Sequence, residues 1–336
     1  MKIAIVRGAF ANPAELQNFE PLLKKHEIVV FGSKNTKEDR LLSNIPLVKL
    51  SSPYDYVGKN KYLRGIFNRL FVDSHYLFSL EEKLRGFDIA HCAETYYGYT
   101  QQCLNAKKKG YVKKVFATVW ENIPFNNEGI RGRKEFKKRA FKEMDKFIAV
   151  TNKAKEALIA EGCDPQKITV IPMGVDLKKF KPMPKPKTAR MTILFVGRPV
   201  KEKGIEELKK LNLLNFELKV ISGGVSYEKM PQIYQEADIF IHPVVGSKTW
   251  AEQFGMVLIE AMASGLPIIT TDCGSIPEVV GDAAIITKDL RTDLQKLIDN
   301  KNLRKILAKK ARLRAETCFD RQKIAEKISR IYESIR

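Results

Sequence analysis

Short apolar runs separated by stretches of helical periodicity set the pattern of this chain. Runs at residues 2–6, 28–31, 89–92, 115–119 and 147–150 are each four or five residues long, the length and continuity of strands buried on both faces. Helical stretches lie between most of them, so the first half is expected to form a parallel, doubly wound sheet. The series resumes at 192–197 and continues at 218–221, 239–242, 268–271 and 284–287, which predicts a second lobe of the same α/β kind. Between the two, residues 176–190 carry Pro182, Pro184 and Pro186 among lysines, a stiff polar stretch expected to be the linker. At the end, Ile324, Ile328, Ile331 and Ile335 recur at spacings of three and four, the stripe of an amphipathic helix. The expected division is therefore 1–175, 176–190, 191–318 and a terminal helix at 319–336.

Length agrees with this division, since 336 residues suit two domains of ordinary size better than one core. No apolar run approaches the ~20 residues that span a bilayer, and no leader follows Met1, so a cytoplasmic protein is expected, free or on the inner face of a membrane. Cys92, Cys103, Cys163, Cys273 and Cys318 are scattered, with no Cys-x-x-Cys pair. That argues for thiols in a reduced compartment rather than disulfides or a zinc site. The net charge of +20 attracts phosphates. It is concentrated, with 13 Lys and Arg against 5 acids in residues 101–150. From Arg131 to Lys142 the bases interleave with Phe136 and Phe141. This suits a helix on an anionic membrane, although a solvated helix whose aromatics pack inward is the plainer reading. Nucleic acid is not an expected partner, because no recognised nucleic-acid motif accompanies the charge.

The densest chemistry lies at Glu252 and Glu260, eight residues apart across the Phe254-Gly255 step that opens a helical run. The run stops at Gly265-Leu266-Pro267 and an apolar strand follows, as a βαβ unit requires. A helix N-terminus between two carboxylates, with its unpaired N–H groups, is ready to receive an anion. The plainer alternative makes Glu252 an acid favoured near a helix start and Glu260 a solvated helix residue. Arg198 directly follows strand-ending Gly197, and Lys203 lies five residues on. Loops after strands form the ligand crevice of open α/β sheets, although Lys201, Lys203, Lys209 and Lys210 also fit as surface charges.

Glu252, seven residues, Glu260 and then Ala261-Met262-Ala263-Ser264-Gly265-Leu266-Pro267 form a signature together with Ile171-Pro172-Met173-Gly174-Val175-Asp176, Phe195-Val196-Gly197-Arg198 with Lys203-Gly204, and the segment 237–243. It resembles retaining GT-B glycosyltransferases of the group 1, family 4-like kind, over roughly residues 145–335. The resemblance implies an α/β GT-B fold of two Rossmann-like, doubly wound domains facing across a cleft. An acceptor-side domain comes first, a nucleotide-sugar donor domain second, and a C-terminal helix crosses back to the first. It implies a nucleotide-diphosphate sugar, UDP or GDP type, as substrate rather than a cofactor, and a glycan or lipid-linked acceptor. Arg198 and Lys203 would meet the donor phosphates, Glu252 the sugar and Glu260 the ribose. Gly197, Phe254, Gly255, Met256 and Val257 would line the donor. No Asp-x-Asp clamp occurs, so metal-free chemistry is expected, with no protein nucleophile.

On the acceptor side the chain departs from the family. Trp120 stands where a first-domain His is usual, leaving Glu121, Asn122 or His91 to replace it. Gly8 remains of a glycine pair, and Met173 stands for the usual Asn. A nucleotide-sugar epimerase, a disaccharide-forming enzyme or a non-catalytic nucleotide-sugar binder of the same fold are the alternatives.

Overall fold

The computed structural model describes residues 1–36, 44–57, 73, 75–184, 190–211 and 216–334; Pro186 and Ile335 lie outside them. The chain divides into two compact units, one of residues 1–171 with 325–336 and the other of 172–324.

In the first unit, β1 (Lys2–Gly8), β2 (Glu27–Ser33), β3 (Leu47–Leu50), β4 (Phe87–Ala93), β5 (Val112–Val119), β6 (Lys146–Ala149) and β7 (Ile168–Val170) form one sheet. Its order is β3-β2-β1-β4-β5-β6-β7, and every pairing is parallel. β2 and β3 are laid to one side of β1 and the later strands to the other, so the winding reverses between β1 and β4. Two short edge strands, β3 and β7, are additions to the predicted set. Val6, Ala90, Val115 and Phe147 pack with Tyr99 and Leu104 of the Gly98–Lys108 helix in the core. The Arg321–Glu333 helix brings Tyr332 against His91, whose Nδ1 it bonds, and against the Phe116 ring at 5.6 Å. His91 Nε2 bonds the Thr118 hydroxyl at 2.8 Å, so this histidine is a packed and fully bonded core residue.

The second unit repeats the logic with β8 (Met191–Val196), β9 (Phe216–Ile221), β10 (Ile239–His242), β11 (Ile268–Thr270) and β12 (Ile285–Ile286). The order is β12-β11-β10-β8-β9, again parallel throughout. Here the winding reverses between β8 and β10. Ile193, Phe195, Ile239, Ile241 and Ile269 form the core with Leu208, Leu294, Leu297 and Leu307. The proline-bearing stretch up to residue 184 belongs to this unit. Phe180 is fully buried, and Asp176 is paired with Arg321 at 2.7 Å. Both units are Rossmann-like, and in each the reversal point marks where side chains at the carboxyl ends of strands can surround a ligand.

All five cysteines are thiols. Among the described residues no helix is long and apolar enough to cross a membrane.

Candidate active site

The reversal point of the second unit is bounded by the carboxyl ends of β8, which runs on into Gly197 and Arg198, and β10, which ends in His242. The Gly197 N–H donates to Ile221 O at 3.0 Å, holding the turn against β9 while the Arg198 side chain projects as an exposed guanidinium. The chain then makes a short 3₁₀ turn over Lys201–Lys203 that ends at Gly204 in the left-handed region, φ +75°. A Cβ on Gly204 would lie 1.8 Å from the Pro243 carbonyl oxygen. Only glycine lets the two loops approach this closely, and the approach delivers Lys203 to the end of β10. Gly204→Ala adds left-handed strain to a backbone clash. It is expected to cost about 3 kcal/mol or more, read as a lower denaturant midpoint. An unchanged midpoint would mean the turn does not pack on Pro243.

Lys203 Nζ bonds Glu252 Oε2 and lies 5.2 Å from the centre of the Trp250 ring. The same carboxylate oxygen is 3.1 Å from His242 Nε2. A carboxylate only accepts, so the imidazole donates from Nε2. Its Nδ1 has no hydrogen-bond partner among the described residues. Burial pushes the His242 imidazole below its usual range, against the pull of Glu252. Burial alone would raise the Glu252 carboxyl, but His242 and Lys203 outweigh it and hold it down at about 2. Glu252 is therefore a fixed negative charge at neutral pH. Its backbone is clamped as well: Ser275 N–H donates to Glu252 O at 2.9 Å, and a Cβ on Gly274 would lie 2.2 Å from that oxygen.

Two residues on, Phe254 is buried edge-on to Phe319, ring centres 5.9 Å apart. Gly255 then starts the Met256–Ala263 helix at φ +81°, with no side chain capping it. Met256 and Val257 are half-buried in its first turn, where backbone N–H groups point out of the helix and the dipole favours an anion. The helix stops as its sequence predicts. Leu266 N–H reaches Ala261 O at 3.1 Å and Gly265 N–H reaches Met262 O at 3.0 Å, the paired bonds of a Schellman ending.

Glu260, one turn before that ending, is buried with both oxygens bonded, Oε1 to the Tyr227 hydroxyl at 2.9 Å and Oε2 to the Tyr234 hydroxyl at 2.8 Å. Burial raises its carboxyl to about 7, and the two tyrosines only partly offset this. Two more acceptor positions remain on a carboxylate so held. His242, Trp250, Tyr227 and Tyr234 were not among the residues singled out from sequence. His242 stood in a recognised segment, but its contact with Glu252 depends on how the loop after β10 folds back.

On the first unit, Gly8 sits at φ +53°, where a Cβ would be 3.1 Å from the Tyr99 ring. Trp120 and Glu121 donate their backbone N–H groups to Glu94 Oε1 at 2.8 and 3.2 Å. Glu121 is spent on its own loop. One oxygen accepts from the Asn122 and Ile123 backbone and the other from the Asn126 and Asn127 side chains. Glu94, unmarked in sequence, is left-handed at φ 58° and buried. Burial, reinforced by the charge of Glu121, pushes its carboxyl up to about 8.

The basic segment is likewise partly turned inward. On the Arg133–Glu143 helix, Arg133 pairs with Asp73 at 3.3 Å, and buried Lys137 pairs with Glu161 at 2.6 Å. Phe141 packs on Phe147, ring centres 6.0 Å apart. Lys134, Lys138 and Lys142 face outward, with Phe125 and Ile130 exposed nearby in sequence.

Residues 177–314 match the family model of glycosyl transferases group 1, and residues 22–179 match that of Glycosyltransferase Family 4. The chain is 25% identical over 237 residues to the MMP alpha-(1->4)-mannosyltransferase of Mycolicibacterium hassiacum, covering 59% of this chain and 56% of that protein. It is 35% identical over 120 residues to spore coat protein SA of Bacillus subtilis, covering 33% of this chain and 31% of the relative. The matched region thus spans roughly a third to a half of these two relatives. Among solved structures, sucrose-phosphate synthase from Thermosynechococcus elongatus superposes with a TM-score of 0.76 at 18% identity, covering 100% of this chain and 99% of the other. HepE of Anabaena, in complex with UDP-glucose, gives 0.71 at 16% identity, covering 99% and 100%. The two family models overlap at residues 177–179, just past the division between the units, and the fold is that of the GT-B glycosyltransferases; over residues 22–314 the chain is similar to glycosyltransferases of these two kinds.

Proposed function

We propose that the chain is a metal-independent, retaining hexosyltransferase that moves a sugar from a nucleotide-diphosphate donor, of UDP or GDP type, to a glycan or lipid-linked acceptor. The observation that carries this reading is the convergence of Lys203, ionised Glu252 and the uncapped helix start at Gly255 on the reversal point of the second unit. In transfer, the bond from the anomeric carbon to the diphosphate oxygen breaks as the bond to the acceptor oxygen forms on the same face. The acceptor's proton passes to a phosphate oxygen. Charge then grows on the departing diphosphate, where preorganised positive groups lower the barrier most.

Lys203 supplies a mobile point charge and Arg198 a planar fork. The first-turn N–H groups of Met256 and Val257 complete the anion's surroundings. Glu252 accepts a sugar hydroxyl and favours positive charge at the anomeric carbon. Glu260 receives the ribose hydroxyls, with half-buried Tyr227 as the partner they replace and buried Tyr234 as the one that stays. Binding of UDP and UDP-glucose by HepE supports this donor class. The outward lysines with Phe125 and Ile130 support an anionic membrane surface as the place of work.

Thermal unfolding with UDP, GDP, ADP and dTDP, each with EDTA, tests the donor site. A nucleotide at ~100 times its Kd adds about 2.7 kcal/mol. One of them is expected to raise the midpoint by several degrees, and no shift with any would sink the reading. Sedimentation with phosphatidylglycerol vesicles tests the surface, which falls if the protein stays in the supernatant at low salt.

A further inference from the structure

The two sheets end in four edge strands, and three of them are short. β3 has four residues, β7 three and β12 two, a usual protection of an open edge. β9 is the exception, with six residues, Phe216–Ile221, paired to β8 in unbroken register. No strand lies on its far side among the described residues, and it contains neither proline nor glycine. The Ile221 carbonyl accepts from Gly197 N–H at 3.0 Å, so the backbone groups of Ile221 face β8. Successive residues of a strand turn their backbone groups to opposite sides. Glu217 and Lys219 therefore also face β8 with theirs, while Phe216, Leu218 and Val220 direct N–H and C=O outward, in place for one more strand.

The side chains add a second feature. Phe216 and Leu218 pack on the core of the second unit, but Val220 on the same face is 40% exposed. On the other face Glu217 is exposed, and Lys219 Nζ meets Glu236 at 2.7 Å in a pair open to solvent. From Phe216 to Val220 the order is apolar, acid, apolar, base, apolar. Reversed, it is apolar, base, apolar, acid, apolar, so the segment is its own complement in an antiparallel pair. A lone lysine on an edge deters pairing, but here Glu217 supplies the matching charge.

Only registers that set Phe216, Leu218 and Val220 opposite one another form hydrogen bonds. With Leu218 opposite itself, Phe216 meets Val220 and Glu217 meets Lys219, each twice. The charged pairs then fall at the non-hydrogen-bonded positions, where side chains come closest. Sliding one copy by two residues sets Lys219 against Lys219 or Glu217 against Glu217. The local charge agrees. The chain carries +20, yet residues 216–236 hold Glu217, Glu228 and Glu236 against only Lys219 and Lys229, so two copies of a basic chain can approach along this edge.

We propose that the chain self-associates by antiparallel pairing of β9 with β9 of a second copy, joining two five-stranded sheets about a two-fold axis. In such an isologous contact every pair occurs twice, which is what a self-complementary strand supplies and an unrelated peptide does not require. The apolar pairs cover Val220. Lys219 reaches the second copy's Glu217 at little cost, because an exposed ion pair such as the one with Glu236 contributes little. The association is independent of the donor reading.

Sedimentation velocity of the full chain over a concentration series tests it. The native protein is expected to pass from monomer to dimer as concentration rises. Glu217→Lys sets base against base in both charged pairs and should weaken the dimer about tenfold. Glu217→Lys combined with Lys219→Glu makes the pairs opposite in sign again and should restore native association. Val220→Pro removes an outward N–H that the β8 ladder does not use, and should leave a monomer with near-native thermal unfolding. A native chain that stays monomeric at every concentration overturns the pairing. So does a dimer that is indifferent to Glu217→Lys, that the double exchange fails to restore, or that survives Val220→Pro.

Discussion

Replacing Lys203 with alanine is expected to lower donor turnover by about 10²–10³ and to destabilise the second unit as well. Two effects share this one ammonium. In the free protein it is a partner of buried Glu252, and stripping a partner from a buried charge costs about 3–5 kcal/mol. The lower end applies here, because His242 keeps its bond to the same oxygen. During transfer the same group is needed at the departing diphosphate, and the four-carbon stem lets it turn from one anion to the other. Lys203→Arg should recover most of the stability but little of the turnover, since a planar fork held against Trp250 and Glu252 cannot make that exchange as freely. Steady-state kinetics beside denaturant melts separate the effects. Full turnover in Lys203→Ala at reduced stability would make the lysine a structural partner only, and would shift the phosphate-binding role to Arg198.

What could be read in advance follows the range of the interactions. Strands buried on both faces announce themselves as apolar runs, so β1, β2, β4, β5, β6, β8, β10 and β11 were legible, and the runs at 218–221 and 284–287 marked the less buried β9 and β12. Leu47–Leu50 and Ile168–Val170 were not, being four and three residues at sheet edges, with Lys49 or Thr169 breaking the run. Glu252 and Glu260 were visible because a helix start between two acids is a local pattern. His242 became a partner of Glu252 only because the loop after β10 folds back on its own strand end, ten residues on and at no helical or strand spacing. The tyrosines on Glu260 lie 33 and 26 residues away, beyond any helical spacing. Glu94 carried no motif at all. Its peculiarity is a left-handed backbone and an oxygen with no hydrogen-bond partner among the described residues, both of which arise from how β4 and β5 end side by side. The basic helix shows the opposite failure: seven bases between Arg131 and Lys142 read as one charged surface, yet Arg133 and Lys137 are turned into ion pairs.

Nucleotide affinity is expected to rise with pH through about 7, and the rise should vanish in Glu260→Gln. Burial holds the Glu260 proton until about pH 7, and the ribose hydroxyls donate best to the ionised form, in which both oxygens are full acceptors. Below that pH the carboxyl competes as a donor, and affinity should fall by up to about tenfold per pH unit.

The sign for stability is the reverse. The folded pKa lies above the unfolded value of 4.5, so the Glu260 contribution is complete below pH 4.5 and is lost as pH rises toward 7. Over that interval the loss is on the order of 3 kcal/mol. Glu252, held at about 2, works the other way, contributing above pH 4.5 and losing its contribution as pH falls toward 2. The terminal phosphate of a nucleotide also titrates near pH 6, so the decisive comparison is between native protein and Glu260→Gln across pH 5.5–8.5. A curve that steepens only in the native protein assigns the proton to Glu260. Parallel curves would place the pH dependence in the ligand and leave Glu260 as a buried anchor for Tyr227 and Tyr234.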